Sequence, residues 1–392
     1  MVVGGVNHQT WIVRENASGE VLWQKSFPAL GEAVDVTATA DGAWVVIGGD
    51  GNGERTAEFA LKISDSGNLL WTNVWKDEPA AGLGAPGKLV AMGDGGAVIA
   101  MTVNVKPEWP QLGLRRFSAA GAVLWTSKPS FDLWELVGMV RLPDGHFAVT
   151  YREPCGVCAK SPDVAEWDAG GLPLASTSLS ADALPALGSD GSVLAGCTHG
   201  SGQAGWFGSS VCKFDRSWGV VHETWLSPVP VNGPDFFTWE TIAFALFPGG
   251  ASLTASRGDG TSTPVVRWSA VRENGQFAWQ RSNPVGDALA TFPDGSFAVA
   301  GATGSTGAWV PMLVRADRWG NVDCPNAVPC AGKAANACDD GNGCTSDYCV
   351  APGNCTHTAL DDQTPCGDAS GWLRVGSPMP NLCKNGSCVS TK

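Results

Sequence analysis

The sequence predicts an all-β fold built from repeated four-stranded units. Three observations predict it. First, glycine is abundant (51 of 392 residues), tryptophan very abundant (18) and tyrosine scarce (2). Second, short β-rich runs separated by glycine turns recur along the chain, a pattern of many tight turns. Third, one phrase is written repeatedly, a turn glycine followed four residues later by tryptophan: "NASGEVLW" (16–23), "SDSGNLLW" (64–71), "FSAAGAVLW" (117–125) and "RENGQFAW" (272–279).

Aligned on the turn glycine, the chain holds seven units, at Gly19, Gly67, Gly121, Gly171, Gly219, Gly275 and Gly320, spaced 48, 54, 50, 48, 56 and 45 residues apart. Trp23, Trp71, Trp125 and Trp279 stand four residues on; Ala175, Glu223 and Cys324 take that place in the others. A second phrase, an Asp-Gly or Gly-Gly turn before a β-rich run, lies upstream: "DGAWVVIGG" (41–49), "DGGAVIAM" (94–101), "DGHFAVTY" (144–151), "DGSVLAGC" (190–197), "GGASLTAS" (249–256) and "DGSFAVAG" (294–301). Asp-Gly between β-rich runs is a hairpin signal, because tight turns need positive φ. A third phrase sets a basic residue five positions before the turn glycine: Arg14, Lys62, Arg116 and Arg315. Lys213 and Arg267 sit six and eight before theirs, and Glu166 takes the place in unit four.

Each unit therefore reads as four antiparallel strands: a before the Asp-Gly turn, b after it, c with the basic residue and d with the tryptophan. One such sheet leaves two faces open, and stacking the units buries them, which predicts a β-propeller of about seven blades. The tryptophan is expected to pack between neighbouring blades. Unit one starts at its strand b, so the first blade is expected to be incomplete.

These phrases resemble known families. The G-x-x-x-W ending is similar to PQQ-type propeller repeats, and "DGSFAVAGATGSTGAWVPMLVRADRWGNVD" (294–323) resembles a bacterial surface repeat. The resemblance covers residues 1–323 and implies the propeller fold while leaving activity open. The quinoprotein enzymes have eight blades and often a vicinal Cys-Cys pair, which this chain lacks, so no cofactor is expected.

Cysteine is uneven: four lie in 1–323 and nine in 324–392. So dense a tail with little apolar content reads as a disulfide framework in an oxidising compartment. Residues 338–366, "CDDGNGCTSDYCVAPGNCTHTALDDQTPC", resemble a cysteine-rich repeat of secreted myxobacterial proteins, and "CKNGSCV" (383–389) resembles its end. The resemblance implies a stapled, surface-exposed spacer or anchor using Cys338, Cys344, Cys349, Cys355, Cys366, Cys383 and Cys388. Nine cysteines cannot all pair within the tail; one is free or pairs elsewhere, and Cys324 is the candidate. The expected domains are thus 1–323, the propeller, and 324–392, the stapled module. Asp339, Asp340, Asn342 and Asp347 could suggest Ca²⁺, yet their spacing misses the D-x-[DN]-x-[DN]-G loop, so the expectation is turns and no metal.

Composition excludes some partners. A formal net charge of −13 argues against nucleic acid, and no 18-residue apolar run exists to span a membrane. "MVVGGVNHQT" has neither the charged nor the apolar region of a signal peptide, so further chain is expected upstream. The expected location is extracellular or the bacterial cell surface.

The candidate sites lie in two places. An acidic residue marks the start of strand a in five of six units, Glu32, Glu135, Asp182, Glu240 and Asp287, with Lys88 in unit three. They either form a cation or polar-ligand site at the channel mouth or anchor neighbouring blades. The b–c and d–a loops of the same face are aromatic: Trp109, Phe131, Trp134, Trp206, Phe207, Phe236, Phe237, Trp239 and Trp309. Aromatic faces beside carboxylates suit sugars or peptides; Trp134 and Trp239, next to strand starts, pack as core in the alternative. Cys155 and Cys158 ("CGVC") lack the helical context of a redox pair, and a loop staple is expected. Cys197 and Cys212 read as a hairpin-closing disulfide. The five histidines occupy no catalytic or metal motif. The leading expectation is a secreted, non-catalytic propeller binding glycan or protein. The alternatives are a polysaccharide hydrolase or lyase using the mouth carboxylates, and a structural segment of a surface protein.

Overall fold

In the computed structural model the described residues are 1–6, 9–16, 21–49, 57–76, 81–105, 110–127, 130–132, 135–152, 163–179, 182–188, 190–201, 206–226, 238–248, 250–259, 265–283, 287–303, 310–318 and 320, together with 345–351, 354–359, 365–366, 381–385 and 387–389. They are all β: every element is a strand, and apart from one parallel pairing the strands pair antiparallel in sheets that follow the repeat. The chain is a propeller of seven blades, divided into two compact units, 1–182 and 183–392.

The first unit holds four blades. Blade 1 is β1 (Val2–Val6), β2 (Gln9–Glu15) and β3 (Val21–Phe27), three strands among the described residues. Blade 2 is β4 (Glu32–Ala38), β5 (Trp44–Gly49), β6 (Ala57–Ile63) and β7 (Leu69–Lys76). Blade 3 is β8 (Ala81–Ala91), β9 (Ala97–Val105), β10 (Pro110–Phe117) and β11 (Val123–Thr126), with the short β12 (Ser130–Asp132) also on β10. Blade 4 is β13 (Glu135–Arg141), β14 (Phe147–Arg152), β15 (Asp163–Trp167) and β16 (Pro173–Ser178).

The second unit begins with β17 (Asp182–Leu187), which straddles the division, then β18 (Val193–Ser201), β19 (Trp206–Phe214) and β20 (Val220–Trp225) as blade 5. Blade 6 is β21 (Thr238–Leu246), β22 (Ser252–Asp259), β23 (Val265–Val271) and β24 (Phe277–Asn283). Blade 7 is β25 (Ala288–Thr291), β26 (Phe297–Thr303) and β27 (Val310–Ala316). The tail forms two small sheets, β28 (Thr345–Ala351) with β29 (Asn354–Ala359), and β30 (Pro365–Cys366), β31 (Asn381–Lys384) and β32 (Ser387–Val389).

The turns explain the repeated phrases. Both hairpin types use one five-residue turn whose fourth residue is left-handed. In 64–68 the Ser64 N–H donates to Asn68 O (2.8 Å) and the Gly67 N–H to Ser64 O (2.9 Å), with Gly67 at φ +84°. A β-bulge follows, as the register shift between Lys62 and Ile63 shows. Glycine occupies the fourth position because L side chains pay steric strain there.

The tryptophan of one blade lies on the turn glycine of the next. A Cβ added to Gly67 would sit 3.0 Å from Trp23, one on Gly121 2.7 Å from Trp71, one on Gly171 2.6 Å from Trp125, and one on Gly320 2.8 Å from Trp279. The indole N–H is used as well. Trp23, Trp71 and Trp279 donate to the carbonyls of Asp65 (2.8 Å), Ala119 (2.9 Å) and Arg318 (2.9 Å), each two residues before the glycine below. Glycine and tryptophan are thus two halves of one latch between blades.

Blade 5 corrects the alignment. Its left-handed residue is Trp218 (φ 64°), not Gly219, and the turn bonds run from Asp215 N–H to Gly219 O and from Trp218 N–H to Asp215 O. The unit is therefore counted from 218. Lys213 then lies five residues before the turn residue, obeying the common rule, and His222 lies four after it. His222 is the latch: a Cβ on Gly275 would fall on its Nε2. Trp218 is buried and packs on Phe214 (5.8 Å between rings), so burial of the indole holds a residue in a region it otherwise avoids.

Four basic residues of the third phrase meet aspartates of the second, while Arg14 reaches Asp65 of the next blade (2.8 Å). Lys62–Asp41 (2.6 Å), Arg116–Asp94 (2.7 Å), Lys213–Asp190 (2.8 Å) and Arg315–Asp294 (3.2 Å) join strand c to the a–b turn of the same blade. In blade 4 the exception resolves itself: Glu166 faces His146 (3.8 Å), which also lies 3.7 Å from Asp144. The apolar cores lie between successive blades of each unit. Val45, Ile47, Leu89, Ile99 and Phe117 fill one seam, and Leu112, Leu114, Phe147, Val149, Tyr151 and Trp167 the next.

Candidate functional site

The two ends of the blades differ in how uniform their connections are. At one end the connections among the described residues are the five-residue turn. At the other, the b–c connections vary from two residues (7–8) to ten (153–162), and the strand a starts lie beside them. Variable connections on a rigid scaffold are where binding residues concentrate.

The predicted carboxylates sit at this end. Glu32, Glu135 and Asp182 are the first residues of β4, β13 and β17, Glu240 is the third of β21, and Asp287 immediately precedes β25. Their company is basic. Glu135, exposed, is ion-paired with Arg152 of the adjoining strand of its own blade. Asp287, also exposed, is bonded to Arg257 of the preceding blade (2.5 Å). Glu240 is opposite Arg257 in the β21–β22 register. The pairs fasten strand starts, within a blade for Glu135 and across blades for Asp287. Lys88 does not share this position: it lies well inside β8, which starts at Ala81.

Lys88 instead matches a residue that pattern reading missed. Asp35 and Lys88 both stand seven residues before their left-handed glycines, Gly42 and Gly95. The Asp35 carboxylate accepts the Val36 N–H (2.8 Å) and, across to blade 3, the Leu89 N–H (2.9 Å). Burial raises its pKa to about 6, opposed by the Lys88 charge and the two backbone donors. One signal was available in the sequence: a charge at a position that is Gly138, Ala243 and Ala288 in blades 4, 6 and 7.

Of the aromatic candidates, Trp206 and Phe207 are the first two residues of β19 rather than loop residues, and Trp239 is the second of β21. Trp109, Trp134, Phe236, Phe237 and Trp309 lie outside the described residues. Phe131 is left-handed (φ 64°) and packs on Tyr151 (6.2 Å) and Trp167 (5.5 Å), which makes it part of the seam between blades 3 and 4.

Cys197 and Cys212 are joined by a disulfide, Cα atoms 6.2 Å apart. The bond does not close the loop end of the hairpin. β18 continues to Ser201, and the register pairs Cys197 with Ser210 and Ala195 with Cys212, so the bond crosses the middle of the sheet diagonally. Cys155, Cys158, Cys338 and Cys344 lie outside the described residues. In the tail, Cys349 is opposite Cys355, Cys383 opposite Cys388, and Cys366 opposite Asn381. Among the described residues no cluster of three or more His, Cys, Asp or Glu is placed to hold a metal, and no helix is long and apolar enough to cross a membrane.

No family model and no curated protein matches the chain. Solved structures similar to it include a protein of unknown function from Dyadobacter fermentans (11% identity, TM-score 0.45, covering 62% of this chain and 80% of that one). Others are BamB from Moraxella catarrhalis (13%, 0.40, 83% and 84%) and the GH43 β-xylosidase/α-arabinofuranosidase CoXyl43 from a compost metagenome (14%, 0.37, 63% and 93%). At these identities and TM-scores they say nothing about the activity of this chain.

Proposed function

We propose that the protein is a non-catalytic binding propeller, extracellular or on a bacterial surface, that takes a glycan or protein ligand at the loop-rich ends of its blades, with residues 324–392 as a stapled extension. The observation that carries this reading is the division between the two ends. The tight-turn end is committed to latches and ion pairs that hold the blades. The loop end combines connections of variable length, aromatic residues and carboxylates, two of which, Glu135 and Asp287, are held by arginines. The Cys197–Cys212 disulfide supports an oxidising location.

The test is a glycan array probed with the oxidised 392-residue protein, in Ca²⁺ and again in EDTA. Binding that the combined variant Trp109→Ala, Trp206→Ala, Trp309→Ala abolishes supports the loop end. Binding that survives in that variant overturns it. Release of new reducing ends from a bound polysaccharide would overturn the non-catalytic assignment.

A further inference from the structure

The outer strand of a blade offers the backbone N–H and C=O groups of one edge to solvent, a template for pairing with another chain. Proteins guard such edges with internal charge, short length or proline. The outer strands of this chain follow that rule with one exception. β3 carries Lys25 in its interior, β20 Glu223 and β24 Arg281. β11 has four residues, and β16 opens on Pro173. β7 (Leu69–Lys76) has none of these guards: it runs for eight residues, without proline and without a charge before its last position. Among the described residues it has β6 on one side and no strand on the other.

The two faces of β7 are used differently. Trp71, Asn73 and Trp75 are turned to blade 3: Trp71 lies on Gly121, Asn73 Nδ2 donates to Gly121 O (2.8 Å), and Trp75 stacks on Phe117 (5.9 Å). The other face is open. Leu70, Thr72 and Val74 are exposed, Leu70 by 53% and Val74 by 47%. Leu70 is the extra residue of the bulge against β6, and Leu69 beside it is 49% exposed.

We infer that β7 is a self-association edge: two copies of the chain pair their β7 strands antiparallel about a two-fold axis at Thr72, joining two blade-2 sheets into one. In that register Thr72 meets Thr72, Leu70 meets Val74, and Trp71 meets Asn73. Opposed residues share a face, so Leu70, Thr72 and Val74 of both copies form one row. Thr–Thr and aliphatic pairs across strands are favourable. A second copy is the occupant because each edge supplies what the other needs: equal length, apolar opposite apolar, hydroxyl opposite hydroxyl, and no like charges, since Lys76 comes opposite Asn68. The charge of −13 on each copy opposes association at long range, but β7 contributes no carboxylate to it, and salt screens the remainder. The pairing is independent of any ligand at the loop end.

Sedimentation velocity of the full oxidised chain over a concentration series tests this. A monomer–dimer equilibrium with Kd of about 10–100 µM is expected, weak because one strand pair is smaller than a standard interface of ~1,600 Å². It should tighten from about 0.05 M to about 0.5 M NaCl. Thr72→Lys sets two lysines against each other at the axis and should weaken the dimer about tenfold or more, without changing the melting temperature. Leu70→Lys should also weaken it, and adding Val74→Glu should restore it, because each lysine then faces a glutamate of the other copy. If Thr72→Lys melts early, this second pair of variants decides. A chain still monomeric at about 200 µM, a dimer indifferent to a folded Thr72→Lys, or no recovery in Leu70→Lys, Val74→Glu overturns the pairing. A monomer that binds an alternating Val-Thr octapeptide overturns it too, and gives the edge to a foreign strand.

Discussion

The seam between blades 2 and 3 and the seam between blades 5 and 6 occupy equivalent places in the repeat and are held by different chemistry. In the first, Trp71 lies on Gly121 and Lys62 is almost fully enclosed (1% exposed), its Nζ donating to Asp41 (2.6 Å), Gly95 O (2.7 Å) and Ala119 O (3.3 Å). Aliphatic residues and Phe117 fill the remainder. In the second, His222 takes the indole's place, and a chain of buried hydroxyls runs beside an apolar filling of Leu194, Val211, Leu226 and Val271. Thr241 donates to Cys197 O (3.0 Å), so it accepts from Ser209 (2.8 Å), and Ser209 in turn accepts from Ser256 (2.6 Å). The Thr241 N–H is taken by Thr198 Oγ1 (2.8 Å), and Thr224 caps Gly275 O (2.8 Å). What is common to the seams is backbone: a left-handed turn residue, and a side chain four residues after the previous turn lying on it. In the second seam the linked hydroxyls add hydrogen bonds to the apolar contact.

The sharpest way to break the comparison is Gly121→Val. Its Cβ would meet the Trp71 ring at 2.7 Å in a backbone at φ +84°, and the expected loss is about 3 kcal/mol or more in chemical denaturation. A loss below about 1 kcal/mol would show that the latch is slack.

Next comes Lys62→Met against Lys213→Met. Both residues hold the aspartate of their own a–b turn, but Lys213 is 30% exposed and bonded at Nζ to Asp190 (2.8 Å). Lys62→Met is expected to cost about 2 kcal/mol, because buried carbonyls lose their donor. Lys213→Met should cost less than about 1 kcal/mol. Equal costs would remove the distinction between the seams.

The smallest effects are of opposite sign with pH. Asp35 bridges blades 2 and 3, and its pKa is raised by burial from 3.8 to about 6. The folded state therefore holds the proton more tightly. That contribution is complete below pH ~4 and is lost as pH rises through about 6. Asp35→Asn should stabilise the protein at pH 7.5, with about 3 kcal/mol as a ceiling because Asp35 keeps part of its surface in water, and should give no gain at pH 4. The pKa of His222 is lowered, first by burial and then by the Lys213 charge. Its contribution is present above pH ~6.5 and is lost as pH falls through its lower folded value. His222→Trp should flatten the acid side of the stability profile. Thermal melts of the two variants from pH 4 to 8 check both. Parallel profiles for wild type and Asp35→Asn, or an unchanged acid limb in His222→Trp, would contradict these assignments.

Much of this was legible in the chain. Seven turn glycines, their tryptophans and the Asp-Gly phrases located the blades, because each encodes a local backbone requirement that recurs with the repeat. The partner of each basic residue was not, since Asp41 and Lys62 meet only when the strands between them pair. The turn of blade 5 was misplaced by one residue because glycine is the ordinary left-handed residue, and tertiary burial of Trp218 overrode that preference.

What the sequence by itself determined is the repeat: fold class, blade number and strand order, all consequences of turn chemistry and β-rich spacing. What only the tertiary structure decided is which residues meet across seams: indole on glycine, Lys62 in its cage, and Asp35 on Leu89. Those contacts join residues tens of positions apart. The packing of one blade on the next selects them, and no local pattern in the chain carries that information.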